Sequence, residues 1–201
     1  MTGAAAHVGL VAIAGLSLGV LTQIGQSVLP DGVSQAANSI SPWLLVAFLV
    51  GSRMPDRRGA AVAGFGVLGF ALTGYYAMIE LRYGYGASTP SLVRWGIASL
   101  VGGPVFGIAG WTWRFDGGWH RAAAIGLLAA VAIAEGAYLV RILPDTEVAA
   151  AFIIVGLTVP LMLGRTARER ARAYIAVVPA LALGALGYIA FLWFDTLTAS
   201  L

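Results

Sequence analysis

RAAAIGLLAAVAIAEGAYLVRI, residues 121–142, decides what kind of object this chain is. It is an apolar run of membrane-spanning length that carries one acid, Glu135, inside it. A carboxylate at bilayer depth costs several kcal/mol or goes neutral, so it rarely stands there without a partner or a job. From Arg121 to Glu135 is fourteen residues, roughly 21 Å of helix in a hydrocarbon core of about 30 Å. The acid is therefore expected inside the membrane, in the half away from Arg121.

Composition agrees over the whole length. The chain has 201 residues, 59% of them hydrophobic and 10% charged, with mean hydropathy +0.86. A soluble domain carries about a quarter charged residues. An all-α polytopic bundle in the membrane is expected, forming a single transmembrane domain over residues 1–201 because no long polar segment remains for a second. Cysteine is absent, which excludes disulfides, thiol redox chemistry and thiolate metal sites. All twelve basic residues are arginine. Without lysine there can be no Schiff base, so a retinal protein is excluded. The net charge of +3 is concentrated in short loops and points to membrane topology, with no nucleic-acid partner.

Hydropathy and turn residues give seven spans, at about 7–29, 36–52, 59–80, 91–113, 122–142, 148–163 and 173–195. The amino-terminal run lacks a positive charge and is too long for a cleavable signal, so it is read as the first span. Leu29-Pro30-Asp31-Gly32 and Leu143-Pro144-Asp145 read as turns. The second span is short, with Gln35, Asn38 and Trp43 near its start. The fourth contains Gly102-Gly103-Pro104, where a kink or break is expected because proline removes a helix hydrogen bond. Nine of the twelve arginines fall in the loops after spans two, four and six. The positive-inside rule then places the amino terminus in the cytoplasm and the carboxy terminus outside. The expected location is the bacterial inner membrane, with lipid as the surrounding partner.

Three later hairpins share a weak repeat, an arginine followed 16, 15 and 15 residues later by a glycine with tyrosine close behind (Arg58/Gly74, Arg121/Gly136, Arg172/Gly187). Ordinary helix-end chemistry can also produce it. Two catalytic patterns match without their context. Gly64-Phe65-Gly66-Val67-Leu68-Gly69 has no preceding strand, and Gly15-Leu16-Ser17-Leu18-Gly19 sits within a helix with no base in reach. His7 and His120 do not make a metal site, and no cofactor is implied.

Polar groups gather toward the end opposite the arginine loops. Gln23 and Gln26 lie on one stripe with Gly15 and Gly19, which lets a neighbouring helix, or a partner membrane subunit, approach closely. Tyr138 shares a helix face with Glu135, while Tyr76 and Glu80 end the third span and Arg94 begins the fourth. These seven residues, Gln23, Gln26, Tyr76, Glu80, Arg94, Glu135 and Tyr138, are the candidate ligand-binding set for a small polar molecule in an outward-facing pocket. The bland alternatives are structural: interhelical amide bonds, interfacial anchors, or a Glu135 held by Arg94.

The strings VLPDGVSQAANS, GYY, GGPVFGIAGWTWR and AEGAYL, between residues 28 and 139, resemble a family of small multi-pass membrane proteins from high-GC Gram-positive bacteria, to which no function is assigned. That resemblance implies a class and no catalytic residues. A looser similarity is to the substrate-binding S components of energy-coupling-factor vitamin transporters, which have a small-residue first helix and bind substrate in the outer half. Those usually have six spans with both termini inside, one fewer than counted here. The first reading is a protein that binds or transports a small polar molecule. Others are an intramembrane enzyme acting on a lipid or prenyl substrate, for which a second catalytic group beside Glu135 is not evident, and a structural membrane protein without a ligand.

Overall fold

The computed structural model describes residues 2–30, 33–37, 39–142 and 146–199, and side chains over slightly less. Asp31, Gly32, Asn38 and the turn at 143–145 lie outside the described residues. The chain is helical throughout them: α1 (Thr2–Val28), α2 (Val33–Ala37), α3 (Ile40–Gly51), α4 (Arg57–Tyr83), α5 (Thr89–Phe115), α6 (Gly118–Ile142), α7 (Glu147–Leu163) and α8 (Ala167–Ala199). Five of them, α1, α4, α5, α6 and α8, are long and apolar enough to cross a membrane, which points to a membrane protein. The two shorter apolar helices are α3 and α7.

The second expected span is corrected by this layout. Instead of one run over 36–52 there is a five-residue helix and then α3, twelve residues long. At 1.5 Å per residue α3 reaches roughly 18 Å, too short to cross on its own. Of the kink or break expected at Gly102-Gly103-Pro104, the break is corrected, because α5 runs as one helix from Thr89 to Phe115 with Pro104 inside it.

Two compact units divide the chain, Met1–Gly117 and Gly118–Leu201. In the first, α4 packs against α1, α3 and α5, and α3 also packs on α5. The interior mixes small residues with a few large ones: Ala47, Ala60, Ala63 and Ala71 are buried beside Phe48, Val67 and Leu68, while Leu81, Val62 and Ile13 stand on the outside. Lipid is as apolar as leucine, so large side chains gain little by going inside, and close backbone contact does the packing instead. Gly103 of α5 illustrates it, since a Cβ there would sit 2.7 Å from the carbonyl oxygen of Gly64 and from Phe65. Gly64 belongs to the dinucleotide-like pattern, whose glycine is thus a helix-packing residue. Gly15 and Gly19 of the elbow-like pattern lie against Val67 and Ala71 of α4 in the same way.

The ends of these helices are set by local chemistry. Asp56 caps α4, its carboxylate accepting from Gly59 N–H at 2.7 Å. Arg57 bridges to Asp116 at 2.6 Å and lies over the Trp111 ring, tying the start of α4 to the end of α5. Arg53, Arg57, Arg58 and Arg114 therefore gather at one end of this unit. At the other end α4 stops at Gly84, whose φ of 71° suits glycine alone, and Ser88 with Pro90 starts α5.

In the second unit α6 packs on α7 and α8. Gly136 of α6 meets Ala149 and Ile153 of α7, and Ala129, Ala130 and Val177 form a buried cluster. Arg121 donates to Glu169 at 2.8 Å, with both side chains nearly buried. Thr166 and Glu169 form a variant of the capping box at the start of α8: Glu169 N–H donates to the Thr166 hydroxyl, and the Glu169 carboxylate accepts from Arg165 N–H. Arg172 lies over Trp119. The arginine-bearing ends of α6, α7 and α8 are thus together within this unit, as the corresponding ends are within the first.

Candidate functional site

A cavity of about 410 Å³ opens within the first unit, between α3, α4, α5 and the 84–88 connection, at the end away from Arg53, Arg57, Arg58 and Arg114. That size lies within the range of small-molecule sites, about 300–1,000 Å³. Helical spacing explains the walls. On α4, Leu68, Leu72, Tyr75, Tyr76 and Ile79 recur at steps of four, three, one and three; on α5, Ser91, Trp95, Ala98 and Ser99 do the same. The short start of α3 adds Ser39, Trp43 and Leu44, and the connection adds Tyr85 and Ser88. Among the described residues, five aromatic side chains and four serines line the space, and none of the seventeen that line it is charged.

Behind this wall lies a polar layer that fixes the rings. Trp43 Nε1–H donates to the Thr22 hydroxyl at 3.0 Å, and the Tyr75 hydroxyl donates to Gln26 Oε1 at 2.9 Å. Tyr75 meets both Trp43 and Tyr76 edge-on, with centroids 6.3 and 5.2 Å apart. Arg82 near the end of α4 donates to Ser27 of α1. Gln23 is 4% exposed, and its Oε1, the Nε2 of Gln26 and the Oγ of Ser39 are buried without a hydrogen-bond partner.

Of the seven expected binding residues, Tyr76 lines the cavity and Gln26 supports it through Tyr75. Gln23 is buried on α1 one turn before Gln26. Glu80 is exposed on α4, its carboxylate beside Gly86 of the cavity wall. Arg94 is exposed on α5, next to the lining residue Trp95. Glu135 and Tyr138 belong to the second unit, where Glu135 is half-buried on α6 and Tyr138 is 49% exposed. Ser39, Trp43, Tyr75, Tyr85, Ser91, Trp95 and Ser99 were not singled out by charge. Tyr75, Ser91, Trp95 and Ser99 share the cavity-facing stripes of α4 and α5, where no charged side chain draws the eye, while Ser39, Trp43 and Tyr85 belong to the start of α3 and the 84–88 connection. Among the described residues, no three His, Cys, Asp or Glu side chains gather as a metal site would need.

Long apolar helices joined by close glycine and alanine contacts, with an aromatic-walled cavity among the described residues, point to a multi-helix membrane protein with room for a small molecule. The chain belongs to a family of unknown function, DUF6518, whose model matches residues 1–193. It matches no curated protein and no solved structure.

Proposed function

We propose that this is a multi-pass protein of the bacterial cell membrane that binds, or passes on, a small molecule through the cavity between α3, α4 and α5. One observation carries this reading: a cavity of about 410 Å³ walled by five aromatic rings and four serines, with no charged lining residue. Aromatic walls hold a flat or ring-shaped molecule by area and stacking, and scattered hydroxyls orient it. The site moves from Glu135 to Trp43, Tyr75, Tyr76 and Trp95. By the positive-inside rule the arginine end of the first unit is cytoplasmic, so the cavity opens outward. With α2 and α3 counted as one broken crossing, seven spans result, amino terminus inside and carboxy terminus outside. S components of energy-coupling-factor transporters offer a parallel in their outer-half binding. Here, however, Gly15 and Gly19 of the first helix are covered by α4 of the same chain.

The absence of cysteine makes the test direct. Cysteine placed at Ser91 or Ser99 should react with a membrane-impermeant thiol reagent added outside intact cells. A cysteine at Arg58 should react only after lysis. Reaction of Ser91→Cys solely from the cytoplasmic side would sink the outward opening.

A further inference from the structure

Ser39 is the residue just before α3, in extended conformation at φ −72° and ψ 145°. A serine there ordinarily accepts from the N–H of the second or third helical residue. The third is Pro42, which has no N–H, and the Ser39 hydroxyl makes no capping bond. The residue is 3% exposed and lines the cavity, and its Oγ, buried and without a hydrogen-bond partner, reaches that space by rotation about the Cα–Cβ bond. A buried hydroxyl left unpaired costs about 1–3 kcal/mol. A hydroxyl donates readily to a carbonyl oxygen, and α3 adds to this the positive end of a twelve-residue helix.

The charge of the ligand follows from what the cavity lacks. A full anion would leave water for a space with no arginine in its lining, facing the negative faces of five rings. A full cation could lie on those rings, but it would have no carboxylate partner in the lining and would meet the positive end of α3. A neutral molecule with an acceptor oxygen avoids both costs. We propose that Ser39, at the amino-terminal end of α3, docks the carbonyl oxygen of a neutral planar ligand whose ring lies among Trp43, Tyr75, Tyr76 and Trp95. This rests on the cavity being the binding site.

The full chain in lipid nanodiscs can be titrated with three ring probes that differ in charge: benzamide, benzoate and benzyltrimethylammonium, read by saturation-transfer NMR. Benzamide should bind best. Ser39→Ala should weaken benzamide about 3–10-fold, the worth of one hydrogen bond. The same variant should keep or raise the thermal midpoint, because it removes a hydroxyl that has no partner. A purely structural serine would do the reverse. Ala98→Trp, which fills the cavity, and Trp95→Ala, which strips a wall without overpacking, should each weaken all three probes. If benzamide binds equally well to Ser39→Ala, or if benzoate or the ammonium binds at least as tightly as benzamide, the docking role falls and the cavity reading stands. If no probe binds, or binding ignores both cavity variants, the two fall together.

Discussion

Single residues in this chain matter according to what lies one Cβ away. A methyl at Gly110 would collide with the Phe48 carbonyl of α3, and one at Gly107 with Ala60 of α4. Backbone cannot step aside as a flexible side chain can, so Gly110→Ala should cost about 1–3 kcal/mol. Gly69 has nothing within 4 Å of that position. Gly69→Ala should be neutral, or stabilise by roughly 0.5–1 kcal/mol, since alanine loses less freedom in a helix. Thermal midpoints in detergent compare the two, and equal losses would count against the α3–α5 contact described here. Arg121 and Glu169 are the other sensitive pair. Arg121→Ala leaves a nearly buried carboxylate without its guanidinium and should cost about 3–5 kcal/mol. Adding Glu169→Gln should recover part of that loss by removing the stranded charge. A double variant less stable than Arg121→Ala alone would contradict this account of the pair.

At the scale of the helix, length and apolarity were legible and continuity was not. All seven longer helices start and stop within about six residues of the expected spans, because hydropathy, caps and turn residues mark those ends strongly. The two misplaced breaks have different causes. Gly102-Gly103-Pro104 reads as a breaker, yet Gly103 is pressed against α4 and that contact favours a continuous α5 through Pro104, which one sequence cannot show. Ser39-Ile40-Ser41-Pro42 reads as helix interior, yet Pro42 sits in the first turn, where a missing N–H is tolerated, and α3 begins there. That second cause is local, and a proline in the first turn is itself a start signal. The site was partly legible: charge drew attention to Glu80, Arg94 and Glu135, while the cavity walls are uncharged. Pro104→Ala is the corresponding test. Since α5 is already unbroken, the change restores one hydrogen bond without moving Gly103, so the thermal midpoint should hold or rise and benzamide binding should be unchanged. A loss of binding would mean that proline shapes the wall after all.

Over the whole molecule, two features set the topology, and they come from different physics. Apolar length decides which helices cross, and arginine placement decides which way they face. Within the first unit Arg53, Arg57, Arg58 and Arg114 lie at one end; within the second, Arg121, Arg165, Arg168, Arg170 and Arg172 lie at the ends where α6, α7 and α8 meet. Seven crossings place all nine on the cytoplasmic side, and they require the α2–α3 region to pass through the membrane as a broken helix. If α3, at roughly 18 Å, instead enters and returns on one side, Arg53 still shares a side with Arg114 across α4 and α5, and only the first helix reverses, which places the amino terminus outside. Reporter fusions separate these cases. Fusions after residues 56, 117 and 168 should all report cytoplasm, and one after residue 201 should report the exterior. An amino-terminal tag reporting the exterior, with 56 and 117 still cytoplasmic, would make α3 re-entrant and the first helix reversed. A cytoplasmic signal at 201 would leave six crossings. Both alternatives leave the nine arginines on the cytoplasmic side, so the charge pattern sets the side of those loops, while the signals at the two chain ends set the number of crossings.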